Sequence, residues 1–487
     1  MRAVVVGGGL GGIAAALRLS VQGYAVTLCE RGPQLGGKMN QWRVDGYSFD
    51  TGPSLITMPH VFRELFETTG ERLDDHLELI RVAPFADYVF DDGARFAYSP
   101  SLPEWTQTLD RLESHGADRF FRFMELGARL FHLSSATFLR RPMTAPPDGA
   151  VWRAMRHTPL RRAWGAYHRT VAAHFTSPYL IQLFNRYPTY VGSSPYACPA
   201  TLAVIPYLEY AFGGWHVRGG LYRIVEALAT LGKERGVEFR CNAPVERVEC
   251  SRKRVQAVSL QNGETLPAEV VVVNADPSAR DALLGRANGA ALPVGGRSLS
   301  GVVMLLASRR RLPELGHHTV YFSGDYPKEF GELFTERRFP DDPTVYVNKP
   351  THSDPSMAPD GGECLFIMAN APALGAEGWD SAMTQTARDR IMARLRAGGF
   401  PDIADAIVAE RIITPADFET DYAMPGGAIY GAHSHGWRRA FFRPPNKDGG
   451  VRGLYFVGGG SHPGGGTPTV LLSAKITSGL IQQYEQT

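Results

Sequence analysis

The first twenty or so residues constrain the fold of this chain more than any other segment. A short run of β-branched residues over Ala3–Val6 leads into a glycine-rich turn, GGGLGG, and a helix is predicted over Ile13–Gln22. In this strand, turn and helix, the spacing G-x-G-x-x-G falls on Gly7, Gly9 and Gly12. The first glycine permits the turn, the second lets a pyrophosphate approach the backbone, and the third lets the helix pack against the strand. The segment therefore predicts a dinucleotide-binding domain, with the phosphates at the N-terminus of the helix.

The following residues indicate which dinucleotide binds. A second strand over Ala25–Cys29 ends in Glu30, whose carboxylate can accept hydrogen bonds from both hydroxyls of a ribose and would repel a 2′-phosphate. A further glycine pair follows six residues later. Nicotinamide enzymes have no need for this second turn, which resembles the GG motif of flavoproteins, beside the diphosphate and ribityl chain of FAD. A Gly-Pro-Ser segment would then lie near the flavin ring. The residues of these two segments are Gly36, Gly37, Lys38, Gly52, Pro53 and Ser54.

A second strand, turn and helix lie near the C-terminus. The strand is predicted over Leu454–Val457, a glycine-rich run extends to Gly466, and a helix follows over Thr469–Gln482. Thr467 is placed to act as the N-cap of this helix, with Pro468 at its first position. Because a helix N-terminus favours negative charge, we expect this turn to lie against the pyrimidine end of a flavin, which becomes anionic when the ring is reduced.

Strands predicted between these two ends make the nucleotide-binding domain discontinuous. They cover Pro244–Val248 and Leu266–Val273, before the sequence NADP at 274–277. The predicted fold class is α/β, with a Rossmann-like FAD-binding domain of the glutathione-reductase type and an inserted α+β domain for substrate and membrane contact. The FAD-binding domain is expected to comprise residues 1–100, 215–290 and 425–487. The substrate-binding domain, with membrane-contact helices, is expected to comprise residues 101–214 and 291–424.

Composition and charge exclude several classes of protein. The chain has 51 Lys and Arg residues against 49 Asp and Glu, a net charge of +2, which gives no global electrostatic case for binding nucleic acid. With 44% hydrophobic and 21% charged residues, it is expected to form a large core rather than to be disordered. The five cysteines are scattered and lack C-x-x-C spacing, so we expect no disulfide framework, no metal site and a reducing, cytoplasmic compartment.

Two segments bear on membrane contact. The N-terminus resembles a signal peptide only superficially, because its glycines are spaced for a nucleotide turn, and the weakly polar run Ala3–Leu17 is shorter than the ~20 residues of a spanning helix. Between Arg140 and Arg169, seven arginines accompany one acid, Asp148, after a helix predicted around Phe120–Leu133. This region is either a core helix with a solvated basic face or a patch that binds anionic lipid. We expect a protein that associates with the membrane surface without spanning it.

Longer segments extend the pattern over nearly the whole chain. They are Phe49–Thr57, His317–Phe322, Tyr346–Pro350 with Asp354–Pro359, Phe442–Asn446 and Leu454–Val470. These segments resemble those of the bacterial-type carotenoid (phytoene) desaturases, FAD enzymes of the amine-oxidase superfamily. Within that family, Asn185–Tyr196 is similar to enzymes that act on later carotenoids, such as hydroxycarotenoid 3,4-desaturases.

The resemblance implies FAD as the cofactor and adds contacts to those already named. Val245 is the adenine contact implied by its place in the Pro-Val strand, and the C-terminal motif would contact the flavin. The implied FAD residues are Gly7, Gly9, Gly12, Glu30, Gly36, Gly37, Lys38, Gly52, Pro53, Ser54, Val245, Gly459, Gly460, Ser461, Pro468, Thr469 and Val470.

The implied reaction removes a hydride and a proton from a saturated C–C pair next to a polyene and so extends the conjugation. Such a reaction requires positioning in a long apolar tunnel and one weak base. His435, with His433 two residues before it, is the candidate base, while His462 is expected to shape its loop. The partners implied are a long apolar polyene, the membrane surface that supplies it, and oxygen or a quinone as the final electron acceptor.

Two other functions share parts of this pattern. An amine oxidase or protoporphyrinogen oxidase would use the same glycine and glutamate frame with a differently shaped pocket. A non-catalytic prenyl-lipid carrier on the same fold would bind no flavin. Product analysis and flavin content discriminate between these alternatives.

Overall fold

A computed structural model describes residues 1–142, 149, 152–153, 165–286, 292–436, 439 and 443–485. Its strands are, in chain order, β1 Arg2–Val6, β2 Ala25–Cys29, β3 Gln41–Val44, β4 Tyr47–Asp50, β5 Leu79–Arg81, β6 Ala86–Val89, β7 Arg95–Tyr98, β8 Trp215–Val217, β9 Glu238–Arg240, β10 Val245–Ser251, β11 Arg254–Leu260, β12 Thr265–Pro267, β13 Val270–Val273, β14 Ser300–Ser308, β15 His318–Tyr321, β16 Val345–Asn348, β17 Glu363–Ala371, β18 Ile407–Ile413 and β19 Leu454–Phe456.

Five successive α-helices of the described chain lie between β7 and β8, and the others are distributed among the strands. They are α1 Leu10–Val21, α2 Pro59–Glu67, α3 Leu73–His76, α4 Leu102–Leu112, α5 Gly116–Thr137, α6 Tyr167–His174, α7 Pro178–Asn185, α8 Val204–Phe212, α9 Tyr222–Glu234, α10 Arg280–Leu283, α11 Tyr326–Gly331, α12 Ser381–Ala397, α13 Pro415–Tyr422 and α14 Thr467–Glu485.

A parallel five-stranded sheet joins the two ends of the chain in the order β19-β13-β1-β2-β9. Side chains of β1 alternate between its faces, as the two-residue period of a strand requires. Ala3 and Val5 pack in the core that holds α1 and α14, whereas Val4 and Val6 pack against residues of β10 and β11. Burial on both faces explains why β1 and β13 consist almost entirely of small β-branched residues.

Both predicted strand-turn-helix units are present. The helix predicted over 13–22 begins three residues earlier, at Leu10, and the C-terminal helix begins at Thr467. Thr467 is therefore the first helical residue rather than the N-cap, because the preceding glycine (φ +109°) already turns the chain into the helix.

The remaining large sheets divide the middle of the chain. A mixed seven-stranded sheet has the order β18-β14-β17-β16-β15-β6-β7, and β10, β11 and β12 form an antiparallel sheet. Residues 266–273, predicted as one strand, form parts of β12 and β13 in two different sheets, because the strand ends at Pro267, which lacks a backbone donor. β6 and β7 pair with the seven-stranded sheet, although the predicted boundary at residue 100 grouped them with the FAD-binding segments.

The apolar residues predicted on a helix around 120–133 lie on α5, and most of them are core residues. Phe120, Phe123, Leu126 and Leu130 are buried in a cluster rich in aromatic side chains. Most of the basic segment after this helix, residues 143–148, 150–151 and 154–164, lies outside the described residues. Within the described part of the chain, no helix is both long and apolar enough to cross a bilayer.

Candidate functional site

A cavity of about 960 Å³ begins at one edge of the parallel sheet and extends to the seven-stranded sheet. At its first end the cavity is lined by four residues that directly follow parallel strands: Gly7 after β1, Glu30 after β2, Asn274 after β13 and Val457 after β19. The carboxyl ends of parallel strands meet at one edge, which is where open α/β sheets bind ligands.

Asn274 explains the glycines of both turns. A Cβ atom added to Gly9, Gly11 or Gly458 would lie 2.7–2.9 Å from an amide atom of Asn274, closer than real Cβ contacts come. The Asn274 Nδ2 also donates a hydrogen bond of 3.2 Å to the carbonyl oxygen of Gly7. The glycines thus allow one asparagine to join the N-terminal turn to the C-terminal turn.

Gly12 has a packing role in the same unit. A Cβ atom on Gly12 would overlap the carbonyl oxygen of Gly7, so only glycine lets α1 lie this close to the end of β1. Gly12 does not line the cavity, although the sequence interpretation named it with the FAD contacts. Its effect on the site is therefore indirect, through the position of α1.

Glu30 lines the cavity and already binds two backbone donors. Its carboxylate accepts hydrogen bonds from the N–H groups of Gly8 at 2.6 Å and Gly32 at 2.7 Å. A carboxylate has about four lone-pair positions, so capacity for ribose hydroxyls remains.

Two cations, the half-buried Lys38 and the buried Arg443, lie at the glycine-lined end of the cavity. The Lys38 Nζ donates to the carbonyl oxygen of Ile429, and burial lowers the pKa of Lys38 to about 8. Arg443 donates to the carbonyl oxygen of Ala432 at 2.8 Å and to the Ser434 hydroxyl at 3.0 Å, and burial lowers its pKa. Arg443 belongs to the Phe442–Asn446 segment, for which the sequence alone predicts no contact. Both side chains provide positive charge for an anionic group.

The second glycine turn faces the first. Gly36 has φ +119° and its N–H donates a hydrogen bond of 2.8 Å to the carbonyl oxygen of Gly8. A Cβ atom on Gly52 would overlap the carbonyl oxygen of Lys38, which fixes glycine at that position. Of the predicted FAD residues, all but Gly12 and the fully buried Ser461 line the cavity.

His435 is engaged by the backbone and by a second histidine. His435 does not line the cavity, and its Nε2 accepts a hydrogen bond of 2.9 Å from the backbone N–H of Ser194. Its ring stacks on His433 with centroids 3.9 Å apart. His462 is fully buried and Nε2 contacts the carbonyl oxygen of Arg141 at 2.8 Å, in keeping with a role in the loop. We therefore do not assign the role of base to His435, because its Nε2 already accepts a hydrogen bond from a backbone N–H.

The other end of the cavity has apolar walls from three elements. α5 and the residues after it contribute one wall, α8 and the turn before it a second, and the seven-stranded sheet a third. The apolar lining includes Leu130, Leu133, Phe138, Leu139, Leu202, Val204, Ile205, Leu208, Val303, Val320, Phe366 and Met368.

Several polar side chains interrupt this apolar wall. The sequence alone predicted no role for them in the site. His318 on β15 and Tyr346 on β16 have ring centroids 5.6 Å apart, and the Tyr346 hydroxyl lies 2.6 Å from Ser54 Oγ. Arg186 and Glu209 also line this part. The quoted segments 185–196, 317–322 and 346–350 contain three of these four residues, but only sheet pairing and helix packing bring them together.

His318 presents one nitrogen without a protein partner. Its Nδ1 lies 2.9 Å from the carbonyl oxygen of Phe85, and a carbonyl can only accept, so we assign the proton to Nδ1. Nε2 is buried and has no hydrogen-bond partner among the described residues. Burial lowers the pKa of His318 to about 3, so the ring is neutral and Nε2 carries a lone pair.

The neutral state of His318 predicts a pH dependence of stability. Its pKa of about 3 lies below the ordinary value of 6.5, so protonation favours the unfolded chain. The neutral ring therefore contributes to the free energy of unfolding. This contribution is complete above pH 6.5 and is lost as the pH falls toward 3, at about 1.4 kcal/mol per pH unit. Denaturant unfolding at pH 7 and pH 5 should show a smaller acid-induced loss in His318→Asn than in the unsubstituted protein. Equal losses would contradict the assignment.

Sequence relatives cover nearly the full chain. It is 34% identical to a 4,4'-diapolycopene oxygenase from Methylomonas sp, over 98% of this chain and 97% of that protein. It is 35% identical to a zeta-carotene-forming phytoene desaturase from Myxococcus xanthus, over 98% and 93%. It is 32% identical to a 1-hydroxycarotenoid 3,4-desaturase from Flavobacterium sp., over 99% of each.

The fold has solved counterparts at much lower identity. An oxidoreductase from Methanosarcina mazei superposes with a TM-score of 0.65 at 17% identity, over 98% of this chain and 99% of that chain. Residues 10–482 match the family model described as flavin containing amine oxidoreductase. The chain therefore belongs to the flavin-containing amine oxidoreductase family, in the branch of its carotenoid desaturases.

Proposed function

We propose that this protein is an FAD-dependent carotenoid desaturase, which removes a hydride and a proton from a long polyene and adds a conjugated double bond. The observation that carries the proposal is a single cavity that joins a glycine-lined, cationic end to an apolar end. Its volume of about 960 Å³ lies at the upper end of the usual range for ligand sites.

The residues at the first end fit FAD. The turns containing Gly9 and Gly36 leave space that a Cβ atom would reduce, Glu30 can accept ribose hydroxyls, and Lys38 with Arg443 can balance negative charge. Val245 lines the cavity near Glu30 and is the proposed adenine contact, while 52–54 and 459–470 would hold the flavin ring. When bound, FAD supplies a ring that accepts a hydride from a C–H bond next to the polyene.

The proposed proton acceptor is His318 Nε2. The carbonyl of Phe85 holds the ring in one tautomer, His318 lines the cavity, and its Nε2 is buried without a hydrogen-bond partner among the described residues. A pKa of about 3 makes His318 a weak base. A weak base suffices, because a carbon next to a developing allylic cation is strongly acidic. The apolar walls align the polyene and exclude water from the reacting carbons.

The polyene is proposed to come from the membrane, since a long hydrocarbon is nearly insoluble in water. In this proposal the protein associates peripherally with the bilayer and the cofactor is reoxidised by oxygen or a quinone. α5 supports the route, because Leu130 and Leu133 on it line the cavity while Phe121 is 43% exposed on the same helix.

Product analysis tests the proposal. Purified protein, FAD and liposomes would be incubated in parallel with phytoene, diapophytoene or 1-hydroxyneurosporene, and the pigments separated by chromatography. We expect a product with red-shifted absorption from at least one substrate. Flavin reduction by an amine without any polyene product would favour another FAD oxidase, and protein that binds polyene but no flavin would favour the prenyl-lipid carrier.

A further inference from the structure

The apolar end of the cavity contains a guanidinium that the proposed chemistry does not use. Arg186 follows α7 directly and lines the cavity. Its Nη1 lies 3.4 Å from the Tyr88 hydroxyl, which is a long hydrogen bond. Among the residues that the structure describes, no carboxylate forms an ion pair with it. Arg186 is therefore a cation with unused donors inside a largely apolar space.

Two aromatic rings fix the position of this cation. The Arg186 guanidinium carbon lies 5.1 Å from the ring centroid of Tyr190 and 5.6 Å from that of Tyr346. The hydroxyls of both rings have other partners: Tyr190 donates to Glu209 at 3.2 Å, and Tyr346 contacts Ser54 at 2.6 Å. The rings therefore hold the guanidinium through their faces, and its N–H donors stay available to the cavity.

A bound hydrocarbon would leave those donors without partners. Arginine stays charged at every physiological pH, so it cannot avoid the cost by losing its proton. An alkyl or polyene end would displace the water around the guanidinium and offer no acceptor in return, which is unfavourable for a buried charge. An oxygen atom on the ligand would accept the hydrogen bonds that the water provided.

We propose that Arg186 binds an acceptor oxygen at one end of the substrate, so that the preferred polyene carries a hydroxyl, ether or carbonyl group there. This inference rests on the proposed desaturase function and specifies its substrate class. Guanidinium only donates hydrogen bonds, so it can form none with a purely hydrocarbon end. Hydrogen bonds from charged donors change affinity by a factor of roughly 10 to 100.

Equilibrium binding tests the proposal without relying on turnover. The flavin-loaded protein in detergent micelles would be titrated with three polyenes of equal length, which end in a hydrocarbon, a hydroxyl or an aldehyde, and the quenching of protein fluorescence recorded. We expect the unsubstituted protein to bind at least one of the oxygenated polyenes about 10 to 100 times more tightly than the hydrocarbon. Arg186→Leu should lose this preference and bind the hydrocarbon at least as tightly as before.

A matched control removes a guanidinium elsewhere. Arg129 on α5 is exposed, pairs with Glu125 at 2.5 Å and does not line the cavity, so Arg129→Leu should keep the preference. Flavin absorbance checks that each variant is folded. If Arg186→Leu does not fold, Arg186→Lys keeps the charge but loses the planar set of donors, and its preference should fall.

The outcomes separate this inference from the proposed function. Equal affinities of the unsubstituted protein for all three polyenes would overturn the role of Arg186, as would an unchanged preference in folded Arg186→Leu. In both cases desaturation of the polyenes would still support the proposed function. Absence of polyene binding and of desaturation would instead overturn the proposed function itself.

Discussion

Replacing Gly12 with alanine is expected to destabilise the protein by about 3 kcal/mol and to reduce its flavin content. A Cβ atom at this position would overlap the carbonyl oxygen of Gly7, which is backbone and cannot rotate away. α1 would have to move from the end of β1, and overpacking of this kind typically costs about 1–3 kcal/mol. The turn over which the dinucleotide phosphates are proposed to lie would move with it.

Gly479→Ala is the matched control for this substitution. Gly479 is an exposed residue inside α14, and a Cβ atom there would have no neighbour within 4 Å. Alanine favours the helix over glycine by about 1 kcal/mol, so this variant should be slightly more stable. Denaturant unfolding measures the stability of both variants, and flavin absorbance measures their flavin content. A Gly12→Ala protein as stable as Gly479→Ala would refute the packing role.

Replacing His318 with asparagine is expected to lower the rate of polyene desaturation by about 10²–10⁴-fold, the usual contribution of a general base. The amide nitrogen of asparagine can take the place of Nδ1 and keep the hydrogen bond to Phe85, but nothing replaces Nε2. The loss should therefore appear in turnover with little change in polyene affinity. Product formation and fluorescence titration on the same sample measure the two quantities separately.

His435→Gln distinguishes the two histidines. The glutamine oxygen can accept the hydrogen bond that Ser194 now donates to His435 Nε2, so this variant should keep most of the desaturation rate. A large loss in His435→Gln together with a normal rate in His318→Asn would reverse our assignment. Loss in both, with intact flavin and polyene binding, would indicate that the position of the wall near Ser194 also matters.

The sequence predicted the glycine turns at the edge of the parallel sheet for a local reason. Gly7 and Gly36 have positive φ angles that favour glycine, and the motifs that contain them can be recognised within ten residues of chain. The close contact at Gly52 is with Lys38, which lies farther away in the sequence. The strand before each turn and the helix after it are also local. The bounds were shifted by only a few residues, because helix ends depend on single turns.

The substrate end of the cavity could not be predicted in the same way. His318, Arg186 and Glu209 come from β15, from the residue after α7 and from α8, and only tertiary packing brings them to one wall. The position of His435 has the same origin: closeness in sequence to the C-terminal glycine run does not determine whether a side chain lines the cavity, and His435 does not. Asn274 was quoted as the end of a strand, but its role in both turns is a contact between distant segments.

The strand order of the parallel sheet also sets a sequence of events during synthesis. β1 lies next to β13, and β13 is bordered in turn by β19, only some thirty residues from the last residue of the chain. During synthesis the N-terminal glycine turn leaves the ribosome early. Asn274 and β19, which directly precedes Val457, leave it much later. The walls of the proposed cofactor site are therefore all present only after β19 has been synthesised, so the cofactor would bind at that stage rather than when the N-terminal turn alone has emerged.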